Sequence, residues 1–152
     1  QGELARNDID LDLDLVCGPF LPLDVVQGLR ARTRGRTGIR VRRSVPDLCA
    51  ELAQASASVS QCGYNTALDV LRAGVPAVVV PFAEGREDEQ TRRAERLQRL
   101  GALRVLSERT LTGPRLAAEV TELLTFTPSP IDLGFDGARE TTRILGELVQ
   151  AA

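Results

Sequence analysis

The run Ala77-Val78-Val79-Val80-Pro81 constrains this chain more than any other feature. Three consecutive valines following Gly74 and Pro76 are apolar on both faces of an extended segment, which suits a strand buried on both sides in a parallel sheet. Upstream, Asn65 to Ala73 has a helical pattern, and Ala57 to Ser60 reads as a brief strand before it. Strand, helix and buried strand in that order make a βαβ unit.

The alternation continues in both directions. From Asp10 to Val16, Leu11, Leu13 and Leu15 alternate with Asp10, Asp12 and Asp14, the pattern of a strand with one polar face, and Gly18-Pro19 stops it. Pro22 to Thr33 carries Leu23, Val26 and Leu29 at helical spacing, and Ile39 to Arg43 reads as a short strand. Ser44 and Pro46 are expected to open a helix with Leu48, Leu52 and Ala55 on one face. Beyond the valines, Glu87, Asp88 and Glu89 mark a helix start, Ala94, Leu97 and Leu100 form an apolar stripe, and Gly101 fits the end of that helix. Leu103 to Leu106 is the next strand, and helices near 114–124 and 137–150 flank a loop with Pro128 and Pro130. The chain therefore reads as α/β, a Rossmann-like parallel sheet with helices on both faces, forming a single domain over 1–152.

Composition narrows the function classes. A net charge of -2 and 3% aromatic residues argue against nucleic acid as a partner, because neither global basicity nor a stacking platform is present. No apolar run is long enough to span a bilayer, so membrane contact is expected to be peripheral at most. Cys17, Cys49 and Cys62 are odd in number and widely spaced, which fits reduced thiols in a cytoplasm better than a disulfide framework or paired metal ligands. Histidine is absent, which removes the commonest general base. The chain opens at Gln1 with no methionine anywhere, and we expect it to be a piece of a longer protein.

Four constellations could carry chemistry. Asp10, Asp12 and Asp14 could chelate a cation, but the calcium-loop pattern needs Gly and Glu where Leu15 and Leu21 stand, and strand alternation explains the acids more simply. Seven arginines lie between Arg30 and Arg43 with no acid from Val25 to Pro46, a local charge able to attract phosphate or lipid head groups, or simply a solvated helix end. Arg92, Arg93, Arg96 and Arg99 mix with Glu87, Glu89 and Glu95 as surface pairs do, while the amide of Gln90 can both donate to and accept from a sugar hydroxyl.

The fourth is the turn Gln61-Cys62-Gly63-Tyr64-Asn65-Thr66, between a strand and a helix. Gly63 there meets either a backbone angle or the close approach of an anion to the helix's first amides. Thr66-x-x-Asp69 also matches a capping box, which would use the same amides. Spacing alone leaves both readings open.

The segments ASVSQCGYNTALDVLRAGVPAVVVPF and EDEQTRRAERLQRLG resemble the C-terminal, donor-binding half of bacterial family 28 glycosyltransferases of the GT-B fold, which include the peptidoglycan N-acetylglucosaminyltransferase. Glycosyltransferase sequences with the same GYNT turn are more similar still. The likeness runs from about Leu11 to the last helix.

It implies a domain that binds a nucleoside-diphosphate sugar, most simply a UDP-sugar, for transfer of a hexosyl group. Gly63, Tyr64, Asn65 and Thr66 would meet the diphosphate, Asp69 the ribose, backbone near Val45 the base, and Glu89 and Gln90 the sugar. No metal and no other cofactor would be needed. The catalytic base and acceptor site would belong to an N-terminal domain absent from the chain, together with a first strand and Gly-rich loop. Gln61 and Cys62 depart from the peptidoglycan enzyme's residues, and the histidine of antibiotic glycosyltransferases is missing. A UDP-sugar 2-epimerase, whose signatures are not seen, and a non-catalytic nucleotide-binding module are the alternatives.

Overall fold

The computed structural model describes residues 11–82, 88–132, 134 and 136–150, so Asp10 and Glu87 lie outside the described residues. The elements follow in the order β1 (Leu13–Val16), α1 (Leu23–Thr33), β2 (Ile39–Arg42), α2 (Leu48–Ala53), β3 (Ser58–Ser60), α3 (Tyr64–Ala73), β4 (Ala77–Val79), α4 (Glu89–Arg99), β5 (Arg104–Val105), a 3-10 turn (Glu108–Thr110), α5 (Gly113–Leu123) and α6 (Gly137–Gln150). Every strand pairing is parallel. The strands form two ladders, β1-β2 and β3-β4-β5, with α2 packed on α3 between them.

The valine run sits at the centre of the second ladder. Val78 pairs in register with Val59 and Arg104, and Ala77, Val78 and Val79 are fully buried. Because successive side chains point to opposite faces, Ala77 and Val79 join Leu52, Ala67, Val70, Ala94, Leu97 and Leu103 in one core, under α2, α3 and α4. Val78 joins Leu106 and Leu123 in a second core under α5. Each such valine contributes about 1.5–3 kcal/mol by leaving water, and helices on both faces are what allow all of them to do so.

Several boundaries differ from the expectation, each for a local reason. The helix expected to open at Ser44 and Pro46 starts at Leu48, because the Asp47 carboxylate accepts the Ala50 amide at 3.0 Å and fixes the cap there. That helix ends at Ala53, leaving Ala55 exposed. In β1, Asp14 faces Arg40 across the ladder and bonds Arg42 Nε at 3.0 Å, while Arg42 also donates to both oxygens of Glu51, at 2.8 and 2.7 Å. Asp14 is thus held by arginine, and no cluster of three or more metal-ligating side chains exists among the described residues.

Candidate anion-binding turn

β3 ends at Ser60, the chain turns through Gln61, Cys62 and Gly63, and α3 begins at Tyr64. Gly63 is the cap residue, and the first helical bond runs from the Ala67 amide to its carbonyl at 2.9 Å. The amides of Gly63, Tyr64, Asn65 and Thr66 therefore have no acceptor within the helix, and they lie at its partially positive end. No side chain caps them. This corrects the capping-box reading: Gly63 is the cap and Thr66 the third helical residue. Asp69 is half-buried one turn further on, and its side chain forms no hydrogen bond or ion pair among the described residues.

Gly63 has φ -61° and ψ 154°, an extended conformation that any residue adopts. A backbone angle does not explain the glycine. Packing does not either, since a Cβ built there would meet nothing within 4 Å. Glycine leaves open the space a side chain would otherwise fill at the start of α3.

Residues from α4 hold this turn from the side. Gln90 Oε1 accepts the Cys62 amide at 3.1 Å and the Phe82 amide at 3.2 Å, joining the exits of β3 and β4. The oxygen of Gln90 is thereby committed to backbone, so only its amide hydrogens remain for a sugar hydroxyl, a narrower role than both donor and acceptor. Arg93 Nη1 donates to the Cys62 carbonyl at 2.7 Å, and its guanidinium lies 5.6 Å from the centroid of the Tyr64 ring. Its other arm is ion-paired with Glu89. Glu89, expected at the sugar, is engaged by Arg93 instead, although its side chain remains 81% exposed. Arg93 itself is only 20% exposed, so it is not the plain surface charge its spacing suggests.

The Cys62 thiol is fully buried beneath the turn, and burial pushes its pKa up against the opposing pull of Arg93. It is a packing group rather than a nucleophile. Val45 lies half-buried on the loop after β2, in the other ladder. No hydrogen bond joins it to the turn among the described residues. The structure thus brings Gly63, Tyr64, Glu89 and Gln90 together, keeps Asn65, Thr66 and Asp69 on the same helix, and leaves Val45 on a separate loop. Arg93 is the residue that the reading of spacing missed. Its signal was present, because Gln90 and Arg93 continue the buried stripe of Ala94 and Leu97 toward the start of α4, where polar residues would otherwise be unexpected.

The chain is 32% identical over 120 residues, 79% of its length, to the UDP-N-acetylglucosamine--N-acetylmuramyl-(pentapeptide) pyrophosphoryl-undecaprenol N-acetylglucosamine transferase of Pseudomonas fluorescens. Among solved structures it is similar to glycosyltransferase VinC in complex with dTDP, with TM-score 0.65 and 26% identity over 98% of this chain and 35% of that one. Acinetobacter baumannii MurG gives TM-score 0.61 and 26% identity over 82% of this chain and 37% of that one. The chain spans between about a fifth and a third of the curated relatives it matches, 22% of the corresponding Solibacter usitatus transferase and 33% of the Pseudomonas fluorescens one. The model of the glycosyltransferase family 28 C-terminal domain matches residues 31–132, which include β2 to β5, the Gly63 turn and α4. The chain belongs to the glycosyltransferase family 28 C-terminal domain family.

Proposed function

We propose that this chain is the donor-binding half of a glycosyltransferase that moves a hexosyl group from a nucleoside-diphosphate sugar, UDP-linked in the simplest case, to an acceptor. The observation that carries the reading is the Gly63 turn: four open amides at a helix start whose cap is a glycine that neither backbone angle nor packing requires. Family membership supports it, as do relatives whose names specify a UDP-sugar donor and a structural neighbour that holds dTDP.

In this reading the diphosphate sits over the amides of Gly63 to Thr66, which point at the charge that grows on the leaving group as the glycosidic bond breaks. Each charge-assisted contact contributes about 1.5–3 kcal/mol. Neutralisation falls to these amides, and no divalent cation is assigned to the site. Asp69, half-buried and without a partner among the described residues, is the ribose acceptor, and Val45 lies toward the base. The free amide hydrogens of Gln90, with Glu89 beside it, face the sugar. The acceptor site and the catalytic base are assigned to an N-terminal domain outside this chain, as is a first strand with a Gly-rich loop. No helix among the described residues is long and apolar enough to cross a membrane, and we place the protein in the cytoplasm, in peripheral membrane contact at most.

Calorimetric titration with UDP, dTDP and GDP tests the reading of the donor. UDP is expected to bind more tightly than GDP, and Asp69→Ala to weaken UDP about tenfold, the loss of one hydrogen bond to a charged group. Affinity undiminished in Asp69→Ala would remove that residue from the site.

A further inference from the structure

We infer that Arg93 is a positioning residue of the diphosphate turn: it sets the direction of the open amides, and so the affinity for the donor, without touching the ligand. The inference rests on the donor-site reading above. Gln90 and Arg93, three apart and therefore on one face of α4, grip the two ends of the Cys62 residue, its amide at 3.1 Å and its carbonyl at 2.7 Å. The same guanidinium lies over the ring of Tyr64, 5.6 Å from its centroid. Arg93 thus holds the residue before Gly63 and the residue after it. Gly63 has the fewest steric restraints of any residue type, and nothing within 4 Å confines the space beside it. Its flanking residues are what fix the plane of the turn.

The chemistry of the side chain suits the task. One arm of the planar guanidinium meets a carbonyl, the other meets Glu89, and the flat face stacks on an aromatic ring, three contacts that a lysine ammonium cannot make together. The ion pair with Glu89 balances the charge, so the contribution of Arg93 is geometric more than a matter of net potential. The side chain is largely buried, which limits screening by solvent and salt.

The test uses Arg93→Gln, Arg93→Lys and, as a control for loss of a positive charge on the same helix, the exposed Arg99→Gln. Melting temperatures establish that each variant folds. Three quantities are then read: the Kd for UDP at low and high salt, the emission of Tyr64, and the rate of Cys62 alkylation. Tyr64 is a clean reporter, because the chain has one tyrosine and no tryptophan.

The expected result is a Kd raised about tenfold or more in Arg93→Gln, by the same factor at both salt concentrations, with no rescue by lysine and no change in Arg99→Gln. Tyr64 emission changes and Cys62 reacts faster in both Arg93 variants, with or without nucleotide. Full rescue by lysine would overturn the geometric role in favour of charge alone. Wild-type affinity together with unchanged Tyr64 emission and Cys62 reactivity in Arg93→Gln would overturn the clamp itself. A wild-type chain that binds no nucleoside diphosphate, yet whose Cys62 becomes reactive in Arg93→Gln, would overturn the donor reading and the link to affinity, while upholding the clamp.

Discussion

Single residues at the turn divide into those that face outward and those that anchor it. Gly63 borders open space where a side chain would stand, whereas Cys62, its neighbour, is wholly buried at the exit of β3. The two positions should therefore respond oppositely to chemistry. Burial raises the Cys62 pKa, and the thiol stays protonated and shielded at neutral pH. In a timed alkylation of the native chain, half-buried Cys17 and Cys49 should react first and Cys62 only once denaturant opens the core. Equal rates for all three would show that the turn is loosely held. The importance of Gly63 was legible in the sequence from its place between strand and helix, but its reason was not. Backbone angle and ligand approach predict the same letter, and only the φ of -61° separates them.

At the scale of elements, the order of strands and helices was legible because burial on both faces imposes a run of valines and helices impose their stripe. Lengths were less so. Among the described residues the first strand has its ladder only over Leu13–Val16, and the helix after β2 starts where Asp47 caps it. Role was hardest to read on α4. Arg92 with Asp88 and Arg93 with Glu89 have the same four-residue spacing, yet among the described residues only the second pair reaches across to the Gly63 turn. The end of α4 was read correctly and can be tested. Gly101 has φ 72°, its amide bonds the Gln98 carbonyl at 2.9 Å, and the next amide bonds the Leu97 carbonyl at 3.0 Å. A Cβ on Gly101 would stand 2.7 Å from Ser129 Oγ. Gly101→Ala is expected to lower stability by about 1–2 kcal/mol, the cost of the left-handed conformation alone, as measured by urea denaturation. An unchanged midpoint would mean that the 128–131 loop moves aside freely and that the helix ends another way.

For the whole molecule, the two parallel ladders depend on contacts that no periodicity announces. Arg42 of β2 joins Asp14 of β1 to Glu51 of α2, and α2 in turn packs on α3, the helix of the turn. The paired guanidinium holds the Glu51 carboxyl below its ordinary range. A depressed carboxylate stabilises the fold fully above its unfolded pKa, about 4.3, and that contribution is lost as pH falls through the lower folded value. Thermal melts from neutral pH downward should show wild type losing part of its stability in that acidic window, with Glu51→Gln less stable at pH 7 and flatter below. Parallel profiles for the two proteins would remove the ion pair from the account.

The central claim is that the Gly63 turn receives a nucleoside diphosphate, and the most direct measurement is calorimetric titration of UDP into wild-type and Gly63→Val chains. The account predicts saturable binding to the wild type and none to Gly63→Val, with equal melting temperatures, because φ -61° and the open space beside Gly63 tolerate a side chain in the free chain, whereas valine would occupy the room the diphosphate needs. Undiminished binding by Gly63→Val, or no binding by the wild type at millimolar UDP, would contradict it.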